Sequence, residues 1–422
     1  MSKKRIAIIG GGAAGIFCAI QLQERLDCFV TIYEKSNELL KKVRISGGGR
    51  CNVTHHYHSQ AQFSKNYPRG SKIIKKNLDV FSPKDMYKWL ESKGVKLKTE
   101  EDGRVFPVTD NSQTIINCFT SQLSKHNVKV LFDHELTSII KGEDGFLLHF
   151  YQKKIQADFL IIATGGAQKP RELELYKNLK IETIDPVPSL FTFKINESDL
   201  TSLMGLSVPN VSVRIMGSDL REQGPVLVTH WGLSGPGILK LSAWGAFVLN
   251  ELNYKFQVAI NWTGEKSELD VRRDIEAVIE KNSQAKVSNR RLEKYPQRFW
   301  EYLLVKAEIE SDKKWSELSK KNVNKLIQIL INTVYEVNGK TTFKEEFVTA
   351  GGIDIEHLHS HSMESKLVPN MYFIGEITNI DGITGGFNFQ NAWTSSVVCA
   401  IDITNKVKKS LSKERLNVDF KD

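Results

Sequence analysis

The sequence predicts an α/β protein in which a split Rossmann-type domain carries an inserted antiparallel β-barrel-like domain and a small helical domain. The N-terminal part alternates short apolar strands with helices, which is typical of a parallel sheet covered on both faces. From about residue 190, short segments of alternating polarity indicate antiparallel strands. Charge-rich helical segments follow, and the first pattern returns near residue 345.

These changes predict three domains, because a chain of 422 residues is too long for one ordinary core. Residues 1–189 and 345–422 form the discontinuous Rossmann-type domain. Residues 190–262 and 326–344 form the β-rich insert, and residues 263–325 form the helical insert.

The composition is that of a soluble cytoplasmic protein. Apolar residues make up 41% of the chain and charged residues 25%, and no apolar run is long enough to span a membrane. The five cysteines are scattered and form no C-x-x-C, which favours the reducing cytosol and argues against a dithiol redox centre. The net charge of +9 fits nucleic-acid contact, anionic ligands, or charge spread over the whole surface.

The N-terminal glycine motif predicts a dinucleotide site. A strand at 5–10 and a helix at 13–25 flank Gly10-x-Gly12-x-x-Gly15, and a second strand at 28–34 ends in Glu34. Gly10 permits a tight turn, Gly12 lets backbone amides approach a pyrophosphate, and Gly15 allows the helix to pack closely on the strand. A carboxylate about twenty residues after the motif is suited to bind the ribose hydroxyls.

Two further glycine clusters favour a flavin over a nicotinamide as the tightly bound dinucleotide. No second Gly-x-Gly-x-x-Gly is present, but RISGGGRCNVT follows at 44–54 and GEITNIDGITGGFNFQNAW at 375–393. A loop of glycines lets a flat ring approach the main chain. The helix expected to start near Asn388 would direct its positive end at the flavin pyrimidine, and Glu376 is placed to bond the ribityl chain.

The whole set of motifs resembles a known family. GGGAAG, ISGGGRCNVT, GRVFP, IIATGG, THWGLSGP, FVTAGGI, MESK and MYFIGEITNIDGITGGFNFQNAW occur in this order. They are similar to the three-domain bacterial flavoproteins labelled NAD(FAD)-utilising dehydrogenases, the BaiN/RdsA-type family. The chain departs from that family after ATGG, where a longer Gly-rich stretch is expected, so the resemblance does not predict the substrate.

The resemblance implies FAD bound by the Rossmann-type domain, with these residues as neighbours: Gly10, Gly12, Gly15, Glu34, Arg44, Gly48, Gly49, Arg50, Gly375, Glu376, Gly385, Gly386, Phe387 and Asn388. Residues beside these motifs complete the predicted FAD-binding set: Ala13, Ala14, Lys35, Lys42, Ser46, Cys51, Asn52, Ala163, Thr164, Gly165 and Asp381.

Three residues are catalytic candidates, each with an alternative role. His230 could move the proton that accompanies hydride transfer, or it could pack as a buried polar residue. Ser234 could act beside it, or it could cap the helix that has Pro236 in its first turn. Arg50 could bind a substrate carbonyl or carboxylate, or it could pair with a cofactor phosphate. For Cys51 we expect a packing role.

The histidine clusters HHYH (55–58) and HLHSH (357–361) lack companion acids or cysteines at ligand spacing. We therefore predict solvated histidines and no metal site.

The leading functional hypothesis is an FAD-dependent oxidoreductase acting on a small organic molecule. It would reduce a polarised C=C bond with electrons from NAD(P)H, or oxidise a C–H or C–N bond and pass electrons to oxygen. A flavin-dependent RNA-modifying enzyme and a flavin sensor are alternatives. We expect a small-molecule substrate rather than nucleic acid, no membrane contact and no obligate protein partner. The use of NADH, NADPH or neither stays open.

Overall fold

A computed structural model of the chain describes residues 3–151, 153–292, 295–341 and 348–419. The described residues fall into two compact units, one within 1–187 and 344–422 and the other within 188–343. The predicted domain boundary at 344/345 lies outside the described residues, as does Phe347 of the FVTAGGI motif. The division of the middle of the chain into two domains stays a prediction.

The strands in chain order are β1 (Arg5–Ile9), β2 (Phe29–Tyr33), β3 (Thr54–His55), β4 (Leu97–Thr99), β5 (Arg104–Pro107), β6 (Lys129–Leu131), β7 (Leu136–Gly142), β8 (Gly145–Phe150), β9 (Lys153–Ala157), β10 (Phe159–Ile162), β11 (Thr183–Pro188), β12 (Thr192–Lys194), β13 (Ser207–Ile215), β14 (Arg221–Thr229), β15 (Gly232–Ser234), β16 (Lys255–Asn261), β17 (Thr333–Asn338), β18 (Lys340–Thr341), β19 (Thr349–Ile353) and β20 (Met371–Phe373).

The helices are α1 (Ala13–Gln23), α2 (Lys41–Gly49), α3 (Gln60–Ser64), α4 (Ser71–Asn77), α5 (Pro83–Ser92), α6 (Ser112–Lys125), α7 (Glu174–Lys177), α8 (Ser198–Thr201), α9 (Pro236–Trp244), α10 (Ala246–Glu251), α11 (Glu268–Asn282), α12 (Gln297–Lys306), α13 (Lys320–Asn332) and α14 (Phe387–Asp419). Short 3₁₀ turns lie at Pro170–Leu173, Trp315–Glu317, Ile355–His357 and Gly375–Ile377.

The first unit is built on a five-stranded sheet in the order β20-β10-β1-β2-β6, and all of its pairings are parallel. Its strands are short, apolar and mostly buried, as expected for a sheet with helices on its faces. Helix α1 packs against α14, although the two helices come from opposite ends of the chain. Smaller antiparallel sheets, β7-β8-β9 and β3-β5-β4, complete this unit together with the pair β11-β19.

The second unit contains an antiparallel barrel. Its seven strands follow the order β17-β16-β13-β14-β15-β12-β18. The sheet closes because β18 follows β17 directly after Gly339 and pairs with β12 at the other end of this order. Alternate residues of the strands are buried, for example Val211, Val213 and Ile215 of β13.

Helices α11, α12 and α13 share the hydrophobic core of the barrel, since Ile275, Leu303 and Leu330 belong to the same cluster as Val213 and Val258. A Rossmann-type unit formed by both chain ends, with a β-barrel formed by the residues between them in sequence, confirms the predicted fold class.

Candidate active site

The parallel register of the sheet brings the glycine motifs to one edge. Ile9 of β1 pairs with Ile162 of β10, and Ile162 pairs with Phe373 of β20. The residues that follow these strands are Gly10, Ala163 and Ile374, so their loops leave the sheet side by side. Ligands of open α/β sheets bind at this carboxyl edge.

The first glycine loop has the geometry that its spacing predicted. Gly10 has φ +109°, and a Cβ on it would lie 2.3 Å from the carbonyl oxygen of Ala163. A Cβ on Gly15 would lie 2.1 Å from the carbonyl oxygen of Gly10, so this glycine permits the close packing of α1 on β1. Ala13 and Ala14 open α1, and Gly12 is its N-cap. The predicted turn and packing roles are therefore confirmed.

Glu34 is held in a fixed orientation at the end of β2. Its carboxylate accepts hydrogen bonds from the Gly11 N–H at 2.7 Å and from the N–H and Oγ of Ser36 at 2.9 and 2.7 Å. The acid therefore sits directly beside the first glycine loop, as the ribose-binding role requires. Lys35, which follows it, is exposed.

The second glycine cluster is the distorted end of a helix, whereas the sequence suggested a loop. Helix α2 includes the cluster, but Ser46 has ψ 148° and Gly47 and Gly48 have φ 59° and 68°. Gly49 and Cys51 also have positive φ, 81° and 61°, while Arg50 between them is right-handed with φ −95°. Ser46 Oγ donates to the Val43 carbonyl at 3.0 Å, within the regular part of α2. Alternation of left- and right-handed residues, as at Gly49, Arg50 and Cys51, turns successive N–H groups toward one side.

Glu376 joins the C-terminal motif to α2. Lys42 Nζ donates to both carboxylate oxygens of Glu376, at 2.8 and 2.7 Å, and the Thr349 N–H donates to Oε1 at 3.2 Å. Gly375 beside it has φ 71°, and a Cβ on it would lie 2.8 Å from the Ala14 Cβ. The predicted motifs of both chain ends therefore meet at the start of α1.

The second Gly-Gly pair of the C-terminal motif contacts the segment after the second glycine cluster. A Cβ on Gly386 would lie 2.6 Å from the Thr54 carbonyl oxygen and 2.8 Å from Asn52 Oδ1. Asn388 closes the preceding turn with two hydrogen bonds to Gly382, at 2.9 and 2.8 Å. Helix α14 begins at Phe387, one residue before the predicted start.

Several glycines that are predicted to contact the dinucleotide border open space. A Cβ on Gly12, Gly48, Gly49 or Gly165 would meet no atom within 4 Å. Of the seven buried side-chain polar atoms that lack a hydrogen-bond partner in the described part of the chain, Oδ1 of Asn391 is the one that lies in α14, in its second turn. Together with the α1 N-terminus and the carboxylate of Glu34, these features fit a bound dinucleotide.

Two charged residues of the predicted set are bound to other protein groups. Arg44 Nε donates to Glu38 at 2.7 Å, and its NH1 donates to Gln113 at 2.8 Å. Asp381 is fully buried and forms an ion pair with Arg69. The main visible role of this carboxylate is therefore to tie the turn before α14 to the segment that carries Arg69.

Arg50 has two acidic partners. Its NH1 lies 2.6 Å from Glu100 and 3.5 Å from Asp110, and its guanidinium lies 3.9 Å from the centre of the Phe106 ring. These carboxylates offset the positive charge expected beside the flavin. Binding of substrate or phosphate by Arg50 therefore stays a prediction.

Cys51 is fully buried beside Arg50, and burial raises the pKa of its thiol to about 12. The neighbouring guanidinium therefore does not activate the thiol.

Thr164, which follows the end of β10, contacts the buried Tyr176, whose pKa is raised by burial to about 12.

His230 and Ser234 lie in the barrel unit, and the alternative role given to each is wrong. His230 is exposed at the tip of the β14–β15 hairpin, where its ring lies 4.2 Å from that of Trp231, so it is not a buried polar residue. Gly235 is the N-cap of α9, and no side chain caps that helix. Ser234 instead accepts a hydrogen bond from Thr192 Oγ1 at 3.0 Å. Their catalytic roles stay predictions.

The sequence missed three residues at this edge: His55, Tyr67 and Arg69. The expectation that His55 is solvated is wrong, since it is half-buried and contacts both Gly385 and Phe387. Tyr67 is buried and donates to the Phe387 carbonyl at 2.7 Å. Their partners Gly385, Phe387 and Asp381 lie 330, 320 and 312 residues away in the chain, so only the fold identifies them.

Within the described residues, no group of three or more His, Cys, Asp or Glu side chains could hold a metal ion. No helix in the same part of the chain has the length and apolar character needed to cross a membrane.

The family described as "HI0933-like protein Rossmann domain" matches residues 4–402. The chain belongs to the HI0933-like family. This finding confirms the resemblance drawn from the motifs. The family and fold are those of FAD-dependent oxidoreductases, and FAD is the cofactor.

Relatives of this family member match over almost their whole length. The ribosomal RNA dihydrouridine synthase of Haemophilus influenzae is 29% identical, and the match covers 94% of this chain and 98% of the relative. The 3-dehydro-bile acid delta(4,6)-reductase of Clostridium scindens is 24% identical, with 93% and 97% covered. The 3-ketosteroid delta1-dehydrogenase structure from Sterolibacterium denitrificans has a TM-score of 0.52 at 10% identity, with 96% and 100% covered, and supports the fold.

Proposed function

We propose that this protein reduces a carbon–carbon double bond conjugated with a carbonyl group, using FAD as its redox cofactor. The observation that carries the proposal is the chemistry shared by the two full-length relatives. One is named for saturating a uracil ring, whose double bond is conjugated with a carbonyl. The other is named for reducing double bonds in a bile acid oxidised at position 3.

The cofactor site supports this chemistry. We propose that the pyrophosphate lies at the N-terminus of α1 beside Gly12, with the ribose at Glu34. The flavin would lie between the Gly48–Gly49 segment and the N-terminus of α14. The positive end of that helix favours the negative charge that a reduced flavin carries on its pyrimidine edge. Bound FAD, once reduced by an electron donor, would supply the hydride for the electron-poor carbon of the substrate.

The protein would contribute orientation and a proton for the other carbon of the bond. Arg50 is the proposed substrate-orienting group in the unit that holds the glycine motifs, because a charged donor can polarise a carbonyl oxygen. Its pairing with Glu100 means that substrate would have to compete with an ion pair of 2.6 Å. His230 remains the proposed proton donor, and Ser234 is proposed to act beside it.

A uracil ring within ribosomal RNA is a second candidate substrate. The printed name of the Haemophilus influenzae relative favours it, and the net charge of +9 is compatible with a polyanion. Both candidate substrates would be reduced by the same redox chemistry. They differ only in the molecule that carries the double bond to the flavin, a small organic compound or an RNA.

The test is anaerobic reoxidation of the reduced holoprotein. A 3-oxo-4-ene steroid acid and a uridine-containing ribosomal RNA transcript are mixed with it separately, while flavin absorbance is followed. A productive substrate reoxidises the flavin and gains two hydrogen atoms, which mass spectrometry detects. The saturated steroid acid and an RNA already carrying dihydrouridine are the matched controls. If neither compound reoxidises the flavin, and an amine or alcohol instead reduces the oxidised form, the oxidase alternative replaces this proposal.

A further inference from the structure

His55 is fixed against the turn that precedes α14. It ends the short strand β3, which pairs with β5 through His55 and Arg104. The next residue continues this pairing, since the His56 N–H donates to the Gly103 carbonyl at 2.7 Å. The backbone at His55 is therefore held by a small sheet rather than by a free loop.

A hydrogen bond, a ring contact and the space beside a glycine favour one orientation of the imidazole. Its Nδ1 lies 2.9 Å from the Gly385 carbonyl oxygen. Its ring stacks on Phe387 with centroids 4.7 Å apart and planes 29° apart. A Cβ on Gly103 would lie 2.6 Å from Nε2, so the absence of a side chain there leaves room for the ring. Because a carbonyl only accepts, Nδ1 carries the proton that is shared with Gly385.

The bond to Gly385 also sets the direction of the next amide. The peptide bond between Gly385 and Gly386 is trans, so its C=O and N–H point in opposite directions. Both glycines have positive φ, at 129° and 92°, and glycine at these angles has several accessible orientations. When His55 holds the carbonyl, the Gly386 N–H points away from His55 at the start of α14.

We infer that His55 is a positioning residue for the flavin, acting through the Gly385–Gly386 peptide. It keeps the Gly386 N–H directed at the pyrimidine edge of the cofactor, where negative charge develops on reduction. This inference rests on the proposed placement of the flavin at the α14 N-terminus and is independent of the substrate. Loss of the orientation weakens binding of reduced FAD more than binding of oxidised FAD.

Two substitutions separate the hydrogen bond from packing. In His55→Asn the side-chain amide nitrogen can occupy the position of Nδ1 and donate to Gly385. In His55→Leu the bulk remains but the donor is lost. In His55→Gln the side chain is one bond longer, so its amide nitrogen takes the position of Nε2. That position faces Gly103 and not Gly385. His56→Asn is the matched control, because His56 is exposed.

The measurements are the dissociation constant of FAD after its removal and the midpoint potential of the bound flavin, both without substrate. We expect His55→Leu and His55→Gln to weaken FAD binding about tenfold, the effect of one lost hydrogen bond to a polar group. If the affinity for reduced FAD falls tenfold more than the affinity for oxidised FAD, the midpoint potential is lowered by about 30 mV for a two-electron couple. His55→Asn and His56→Asn should stay within about twofold of the wild type.

Equal effects of His55→Asn and His55→Leu would overturn the inference, because they would leave packing as the only role of the ring. So would wild-type affinity and potential in His55→Leu. If the leucine variant does not fold, as judged by circular dichroism, the comparison of His55→Asn with His55→Gln decides by the same criteria. A holoprotein that reduces neither test substrate would refute the proposed function without affecting this result.

Discussion

At the scale of single residues, the glycines of the first loop have two separable tasks. Gly15 is required by the fold, because a Cβ on it would lie 2.1 Å from a main-chain oxygen. The backbone at position 12 does not require a glycine, since φ of Gly12 is −85° and a Cβ on it would meet no atom within 4 Å. The space beside Gly12 is therefore available to a ligand.

Alanine at these two glycines should consequently have opposite effects. We expect Gly12→Ala to fold with a free energy of unfolding within about 1 kcal/mol of the wild type, while the added methyl group weakens FAD binding about tenfold or more. Gly15→Ala should lose about 1–3 kcal/mol of stability through overpacking. Urea unfolding of the FAD-free proteins and FAD titration measure the two effects. Unchanged FAD affinity in folded Gly12→Ala would place the pyrophosphate elsewhere.

Cys51 gives a prediction for alkaline pH. Burial raises the pKa of its thiol from 9.0 to about 12. Between these values the unfolded chain loses this proton and the folded chain keeps it, so the unfolded state binds fewer protons and stability falls as the pH rises. Relative to Cys51→Ser, which does not titrate, the wild type should lose about 2 kcal/mol between pH 8 and pH 10.5. The other four cysteines are common to both proteins and cancel. Parallel urea-stability curves for the two proteins would contradict this prediction.

At the scale of structural elements, the pair between Arg69 and Asp381 connects the segment before α4 to the turn before α14. Asp381 is fully buried, so removing Arg69 takes an opposite charge away from a buried carboxylate. We expect Arg69→Leu to lose about 3–5 kcal/mol of stability and Arg69→Leu with Asp381→Leu to recover part of it. Urea unfolding of the two variants makes the comparison. A double variant no more stable than the single one would show that the pair is not the main interaction.

The sequence predicted the elements whose signals are local and missed those that depend on distant contacts. The β1–α1–β2 unit follows from apolar periodicity and glycine spacing, and Pro83 marked the start of α5 correctly. Helix α2 was missed because the three glycines at its end carry no helical signal. His55 was missed because its partner Gly385 lies 330 residues away in the chain. Ser234 was taken as a possible cap because Ser-Gly-Pro resembles a helix start, whereas Gly235 takes that position.

At the scale of the whole molecule, the chain ends are joined in one unit while the middle forms another. The parallel register explains why motifs hundreds of residues apart in sequence converge. Gly10, Ala163 and Ile374 each follow a strand of the same sheet, and parallel strands end at a common edge. The order of the motifs along the chain could therefore predict the cofactor. The residues that contact the substrate could not be predicted in this way, because they lie on loops that carry no comparable sequence pattern.

The source of electrons is the remaining property of the whole enzyme. A reductase needs a donor, and the sequence holds one Gly-x-Gly-x-x-Gly, so a nicotinamide would bind only transiently at the flavin. We expect anaerobic addition of either NADPH or NADH to bleach the flavin absorbance rapidly, with a clear preference for one of them. Gly12→Ala reloaded with excess FAD is the control, because its altered site lies at the pyrophosphate and not at the ring. If neither nucleotide bleaches the flavin while dithionite does, the electrons come from the organic substrate, and the protein acts as an oxidase or dehydrogenase.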